Sequence, residues 1–326
     1  MKKLMAAVLI FAMILCLASC AGKTDNDAAA SEKTVNVYVL TGPTGVGAVN
    51  MWSRSQAEET DISYNFTACA APDEIVAKLS SGEADIAAIA TNLAAKLYKK
   101  TEGGIKLLAV NTLGTLSVLC NNGDDINSLS DLKGRKIVTT GQGANPQYIL
   151  EYLLGQNGLN PAKDVSIEYK AEGSELLLVW AQEPDAVIVA PSPVSTSILM
   201  KYEGSKKALD MTDKWNKCAN DSSLMMGCIV ARTDFCKDHP ELVESFLKDY
   251  KASIRAVEED PAKTGELCEK YGIVAKAAIA EKALPDCHVC YLAGEEMKTS
   301  LLGYLKVLYD ADPSSVGTLP DDGFWY

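Results

Sequence analysis

Histidine is almost missing from this chain, with His239 and His288 the only two in 326 residues. No serine or cysteine has a plausible histidine base in its motif, so nucleophilic catalysis has little to build on. Cys287-His288-Val289-Cys290 finds no second CxxC or His pair to complete the four ligands of a zinc site. Arginine is nearly as scarce, and Arg54, Arg135, Arg232 and Arg255 are the whole complement. A guanidinium clamp on a sulfonate or dicarboxylate is disfavoured accordingly. Positive charge is in deficit overall: 31 Lys plus Arg stand against 43 Asp plus Glu, a net charge of −12. That argues against nucleic acid and anionic lipid as partners, because both need a basic footprint. The Gly42-Pro43-Thr44-Gly45-Val46-Gly47 turn lacks the Gly-Lys-Ser/Thr ending of a phosphate loop, and neither glycine-rich turn gives GxGxxG. The apolar run Leu4–Ala18 falls short of the ~20 residues that span a bilayer.

What is present begins with that run. Lys2 and Lys3, the apolar stretch and the small residues after it make a secretory signal over residues 1–19. Leu17-Ala18-Ser19-Cys20 resembles a bacterial lipobox, which implies a lipidated Cys20 as the new N-terminus. Residues 20–33 are polar and aperiodic, a tether. The mature protein is therefore expected outside the cytoplasm, anchored to the bacterial cell membrane without crossing it. Loss of Lys2 and Lys3 takes its charge from −12 to −14.

The mature chain repeats itself. Val35–Asn50 reads as strand, Gly/Pro/Thr turn and helix, and Lys136–Tyr148 reads the same way 99 residues later, Gly42 matching Gly141. Glu83–Ala90 is echoed by Glu183–Ala190 at an offset of 100. Two pairs in step predict two lobes of like plan. Strand patterns at Val35–Leu40, Ile62–Cys69, Asp85–Ala90 and Ile105–Asn111 alternate with helical ones at Gly45–Ala57, Pro72–Ser80 and Asn92–Lys100, which is the signature of βαβ units and a mostly parallel sheet. The second lobe reads as strands Leu116–Cys120, Lys136–Thr140, Val165–Tyr169 and Ala186–Ala190, with helices Pro146–Gln156, Ser174–Ala181 and Ser192–Tyr202. A strand at Leu224–Ala231 leads back, and the chain is helical after Asp234. Lobe 1 is assigned residues 34–115 and 229–326, and lobe 2, inserted, residues 116–228. Crossings near Leu113–Leu119 and Met225–Val230 would form a two-strand hinge.

Other motifs carry less. Ser130-Asp131-Leu132-Lys133 and Lys263-Thr264-Gly265 match SxxK and KTG, but SDN is missing and Lys263 lies in a helical stretch. Cys287-His288-Val289-Cys290 has no second CxxC and does not open a helix after a strand. Eight cysteines remain beyond the signal region. Mostly free thiols are expected, with Cys218, Cys228 and Cys236 the group best suited to pairing. Trp52 and Trp180 could stack on a ligand, and core packing suits them better.

The lipobox, the GPTG turn, Ser128–Val138 (SLSDLKGRKIV), Pro184–Pro193 (PDAVIVAPSP) and His239–Tyr250 (HPELVESFLKDY) together resemble the solute-binding lipoproteins of ABC importers. The nearest branch is that for nitrate, sulfonate, taurine and thiamine-pyrimidine precursors, and the likeness runs from Cys20 to about Asp310. It implies an α/β, two-lobed type II periplasmic-binding-protein fold, each lobe a mostly parallel sheet flanked by helices. It also implies a monomer that closes on a small molecule and delivers it to an ABC permease and its ATPase, with no cofactor, no metal and no catalysis. The expected contacts are the turns at the strand C-ends: Gly42, Pro43 and Thr44, then Thr91 and Asn92, then Asn111, from lobe 1. From lobe 2 they are Thr140, Gly141, Gln142, Ala144 and Asn145, with Pro191 and Ser192. The few arginines point away from a sulfonate and toward a neutral, zwitterionic or weakly anionic ligand. A sensory lipoprotein and a pyrimidine-precursor enzyme on the same fold are the alternatives.

Overall fold

From Thr34 the chain builds two sheets, and it builds both to one plan. The computed structural model describes residues 34–326 apart from Pro184, Asn220 and Asp221. The expected signal segment, Cys20 and tether lie outside the described residues. Strands β1 (Val35–Leu40), β2 (Tyr64–Cys69), β3 (Ile86–Ala90), β4 (Ile105–Leu113), β10 (Met225–Arg232) and β11 (Val289–Leu292) form a six-stranded sheet in the order β11-β4-β10-β3-β1-β2. Strands β5 (Leu116–Asn121), β6 (Lys136–Thr140), β7 (Ser166–Lys170), β8 (Val187–Pro191) and β9 (Ser205–Asp210) form a five-stranded one in the order β7-β6-β8-β5-β9. In the first sheet β1 lies parallel to β2 and β3, and β10 runs antiparallel to β3. In the second, β6 lies parallel to β7 and β8, and β5 runs antiparallel to β8. The repeat seen in the sequence is thus a repeat of topology.

The helices follow from the pattern. After β1 come α1 (Pro43–Val46) and α2 (Val49–Gln56), after β2 α3 (Pro72–Ser81), and after β3 α4 (Thr91–Lys100). In the second half α5 (Asn145–Gln156), α6 (Gly173–Gln182), α7 (Val194–Lys201) and α8 (Met211–Asn216) follow β6, β7, β8 and β9. Helices α9 (Thr233–Asp238), α10 (Pro240–Glu259), α11 (Pro261–Lys270), α12 (Ala277–Cys287) and α13 (Gly294–Ala311) complete the chain, α12 and α13 flanking β11. The single helix expected over Gly45–Ala57 is two, broken at Gly47–Ala48. β9, α8 and β11 are additions that the sequence pattern did not single out.

The turn after β1 shows why glycine is required there. Gly42 has φ +85°, a left-handed conformation costly for other residues. Gly45 is buried, and a Cβ on it would stand 2.3 Å from the Leu40 carbonyl oxygen, a backbone atom that cannot step aside. Gly45→Ala is therefore expected to cost ~1–3 kcal/mol by overpacking, read as a lowered midpoint in chemical denaturation; an unchanged midpoint would refute the crowding.

The chain leaves the first sheet through Gly114 and Thr115, between β4 and β5. It returns upstream of Met225, where β10 already pairs with Leu113 of β4. The return passage is thus earlier than the expected Met225–Val230, and the expected division after residue 228 falls inside β10. One apolar core spans the junction, holding Leu107 and Val110 of β4, Val118 of β5, Ile137 of β6 and the inner face of α13. Trp180 is buried in the second lobe's core, and Trp52 stacks on Tyr271 at 4.3 Å, so both indoles pack rather than stand open. All eight described cysteines are free thiols, Cys218, Cys228 and Cys236 among them, which corrects the expected pairing group. Burial pushes the Cys268 and Cys287 thiols up to about 12. No described helix is long and apolar enough to cross a membrane.

Candidate functional site

The C-terminal ends of β1, β3, β6 and β8 point into the junction between the sheets, and the helices that follow them begin there. On the first-sheet side stand Gly42, Pro43 and Thr44, half-buried at the start of α1, and the buried Thr91 and Asn92 that open α4. Opposite are Thr140, ending β6, and Gly141, Gln142 and Ala144 in the turn before Asn145, the first residue of α5. Pro191 ends β8 and is half-buried, and Ser192 is fully buried before the turn into α7.

Three clusters form among these residues. In the first, Asn145 crosses to the other sheet: its Nδ2 donates to Thr91 Oγ1 at 3.1 Å and to the Met226 carbonyl at 2.7 Å. Thr91 Oγ1 spends its own proton on the Met225 carbonyl at 2.5 Å, so toward Asn145 it can only accept. Asn92 Nδ2 donates to the carbonyls of Ser315 at 3.0 Å and Gly143 at 3.4 Å. Both carboxamides are thereby oriented, since every partner of their nitrogens is an acceptor. Their oxygens, Asn92 Oδ1 and Asn145 Oδ1, are buried without a protein partner.

In the second cluster Asn111, wholly buried, donates to the Thr44 carbonyl and the Tyr250 hydroxyl, both at 2.9 Å. Burial raises the Tyr250 phenol, which stays protonated. In the third, the Ser192 hydroxyl lies 3.2 Å from Thr196 Oγ1 and donates to the Ala283 carbonyl of α12 at 3.3 Å, while the Ser192 amide donates to Thr115 at 2.9 Å. The structure does not bring Gln142 inward, and that side chain is exposed. Gly42 offers less than expected too, because its amide already donates to the Ile273 carbonyl at 2.9 Å.

Electrostatically the junction is polar and almost uncharged. Arg54, Arg135 and Arg232 pair elsewhere, with Asp249, Asp124 and Asp85, and Arg255 is exposed on α10. Lys96 of α4 is a cation at the rim, donating to the Gly143 carbonyl at 3.1 Å. Among the described residues no cluster of His, Cys, Asp and Glu could hold a metal ion. Two surface grooves lie apart from the junction, one of about 620 Å³ over Gly82, Gly103 and Arg232, the other of about 420 Å³ beside β7, and none of the expected contact residues lines either.

Sequence reasoning missed Lys96, Tyr250, Ala283, Ser315 and the Met225–Met226 carbonyls. Lys96 sits four residues after Asn92, on the same helix face, which is the one local signal for it. The rest arrive from distant segments that only the fold brings near.

Two α/β halves of one topology, joined by a pair of passages and meeting at their strand C-ends, define the periplasmic-binding-protein fold. The chain belongs to the NMT1/THI5 like family, whose model matches residues 58–264. The fold is shared with the crystal structure of an ABC transporter from Parabacteroides distasonis, at TM-score 0.74 and 23% identity over 90% of this chain and 98% of that one. It is shared also with the periplasmic aliphatic sulphonate binding protein SsuA from Escherichia coli, at TM-score 0.72 and 15% identity over 91% and 92%. The alkanesulfonate-binding protein SsuA from Xanthomonas axonopodis pv. citri, bound to MOPS, follows at TM-score 0.67 and 12% identity over 90% and 96%. No curated protein matches the sequence.

Proposed function

We propose that this protein is a membrane-tethered, extracytoplasmic solute-binding protein. It captures a small organic molecule between its two lobes by hinge closure and hands it to an ABC permease, without chemical turnover. The observation that supports this best is the three clusters of buried, uncharged hydroxyls and carboxamides that both halves contribute near the ends of their strands. The likeness to binding proteins of known structure, sulphonate binders among them, agrees with it.

The site also suggests the ligand's character. The uncommitted oxygens of Asn92 and Asn145 ask for N–H or O–H donors, and the starts of α4, α5 and α7 favour acceptors or partial negative charge. With no arginine nearby, a neutral, zwitterionic or weakly anionic molecule fits better than a sulfonate. Ligand contacts made from both sides would place the closed form below the open one in free energy.

Native mass spectrometry of the domain purified without refolding tests the reading. A bound small molecule that leaves on denaturation is the expected result. An empty spectrum, followed by no thermal shift with sulfonates, pyrimidines or amino acids, would overturn it. A bound ligand in a protein whose gene has no neighbouring permease would shift the reading to a sensory lipoprotein, and product formed from the ligand would make it an enzyme.

A further inference from the structure

We propose that Lys96 is a positioning residue that latches the two lobes together by holding the 141–148 segment, and that it governs how long a captured solute stays. The residence consequence rests on the solute-binding reading above; the latch itself does not.

Lys96 belongs to α4, which packs on β3, β4 and β10 of the first sheet, whereas Gly143 and Tyr148 belong to the second. The ammonium reaches across with three contacts: the Gly143 carbonyl at 3.1 Å, the Tyr148 hydroxyl at 3.3 Å, and the Tyr148 ring, whose centroid lies 5.0 Å away. The same Gly143 carbonyl accepts from Asn92, one helical turn earlier on α4. One carbonyl of the second lobe is thus held twice from a single face of one helix, two residues before Asn145 makes its own crossing to Thr91.

The chemistry suits a reversible fastening. Among the described residues Lys96 forms no ion pair; its charge meets a carbonyl dipole and an aromatic face, partners that a partly desolvated cation prefers over nothing and readily exchanges for water. Another charged contact between the lobes, Lys207 to Asp286 at 3.3 Å, joins two side chains that gain solvation on parting. Lys96 instead fixes backbone, and the backbone it fixes is the turn carrying Gly141, Ala144 and Asn145. Solute entering the open form does not meet this contact, so its loss changes release and leaves capture rate alone.

Hydrogen-exchange mass spectrometry on the whole protein, without added ligand, tests the latch. In Lys96→Met, amides of 141–148 are expected to exchange about tenfold faster, with β6 and β8 unchanged, the melting temperature held, and a larger radius of gyration in solution scattering. Lys96→Arg, which keeps a cation over Tyr148, should restore slow exchange. Unchanged exchange in Lys96→Met would overturn the proposal. So would faster exchange throughout both sheets with a lowered melting temperature, which would make Lys96 a general stabilising residue. Because no ligand is used, a failed latch and a failed solute-binding reading give separate results.

Discussion

Asn145→Ala is expected to weaken solute binding tenfold or more, about 1.4 kcal/mol or above, with the fold intact. The side chain gives both its protons to the first sheet, to Thr91 Oγ1 and the Met226 carbonyl, from a position in the second. Alanine removes both crossings and the side chain's own uncommitted acceptor, Asn145 Oδ1. It does so at the first residue of α5, where a methyl group disturbs nothing in the helix. Thr44→Tyr should act likewise from the opposite wall by filling the space. Titration with the molecule recovered by native mass spectrometry, beside circular dichroism, is the measurement. Unchanged affinity in both variants would sink the site assignment.

Trp215→Ala should cost more, about 3–5 kcal/mol of stability, the range for a large aromatic removed from a core. Trp215 is wholly buried on α8, and its indole N–H donates to the Ser222 carbonyl at 3.0 Å. Its ring lies 5.0 Å from that of Tyr152 on α5 and 5.4 Å from that of Tyr304 on α13. It therefore joins the second sheet's helices to the C-terminal helix, and the cavity left behind cannot close without moving three elements. Urea denaturation reads the loss. A midpoint shift no larger than that of a surface substitution would show that the junction core is not shared as described.

Much of this architecture could be read in the residues. The strands β1 and β6 stand out in the sequence because a Thr-Gly step closes each of them. Duplicated motifs gave the two halves. They did not give the roles, however. Asp85 and Asp185 occupy matching places in the repeat, yet Asp85 is buried on Asn36 and Arg232 while Asp185 is exposed. Its arginine comes from β10, 147 residues further on, and no local pattern encodes that meeting. β9 was illegible for another reason: Ser205–Asp210 carries two lysines and lies at the sheet's edge, so it lacks the apolar run of a central strand. Of the candidate site, the turns were legible because helix starts have a local signature. Which carboxamide faces which carbonyl depends on how the halves meet.

The placement of β10 between β3 and β4 has a consequence for synthesis on the ribosome. The five strands of the second sheet are contiguous in sequence and all emerge before residue 211, whereas the first sheet has a gap at its centre until residue 232 has left the exit tunnel. The half that begins the chain is thus the later one to be completed. During the interval the flanks of β3 and β4 are unpaired edges of apolar strand, open to the wrong neighbour. Under the export proposed above, that interval would also be the time in which the chain has not yet acquired a finished fold that would resist translocation.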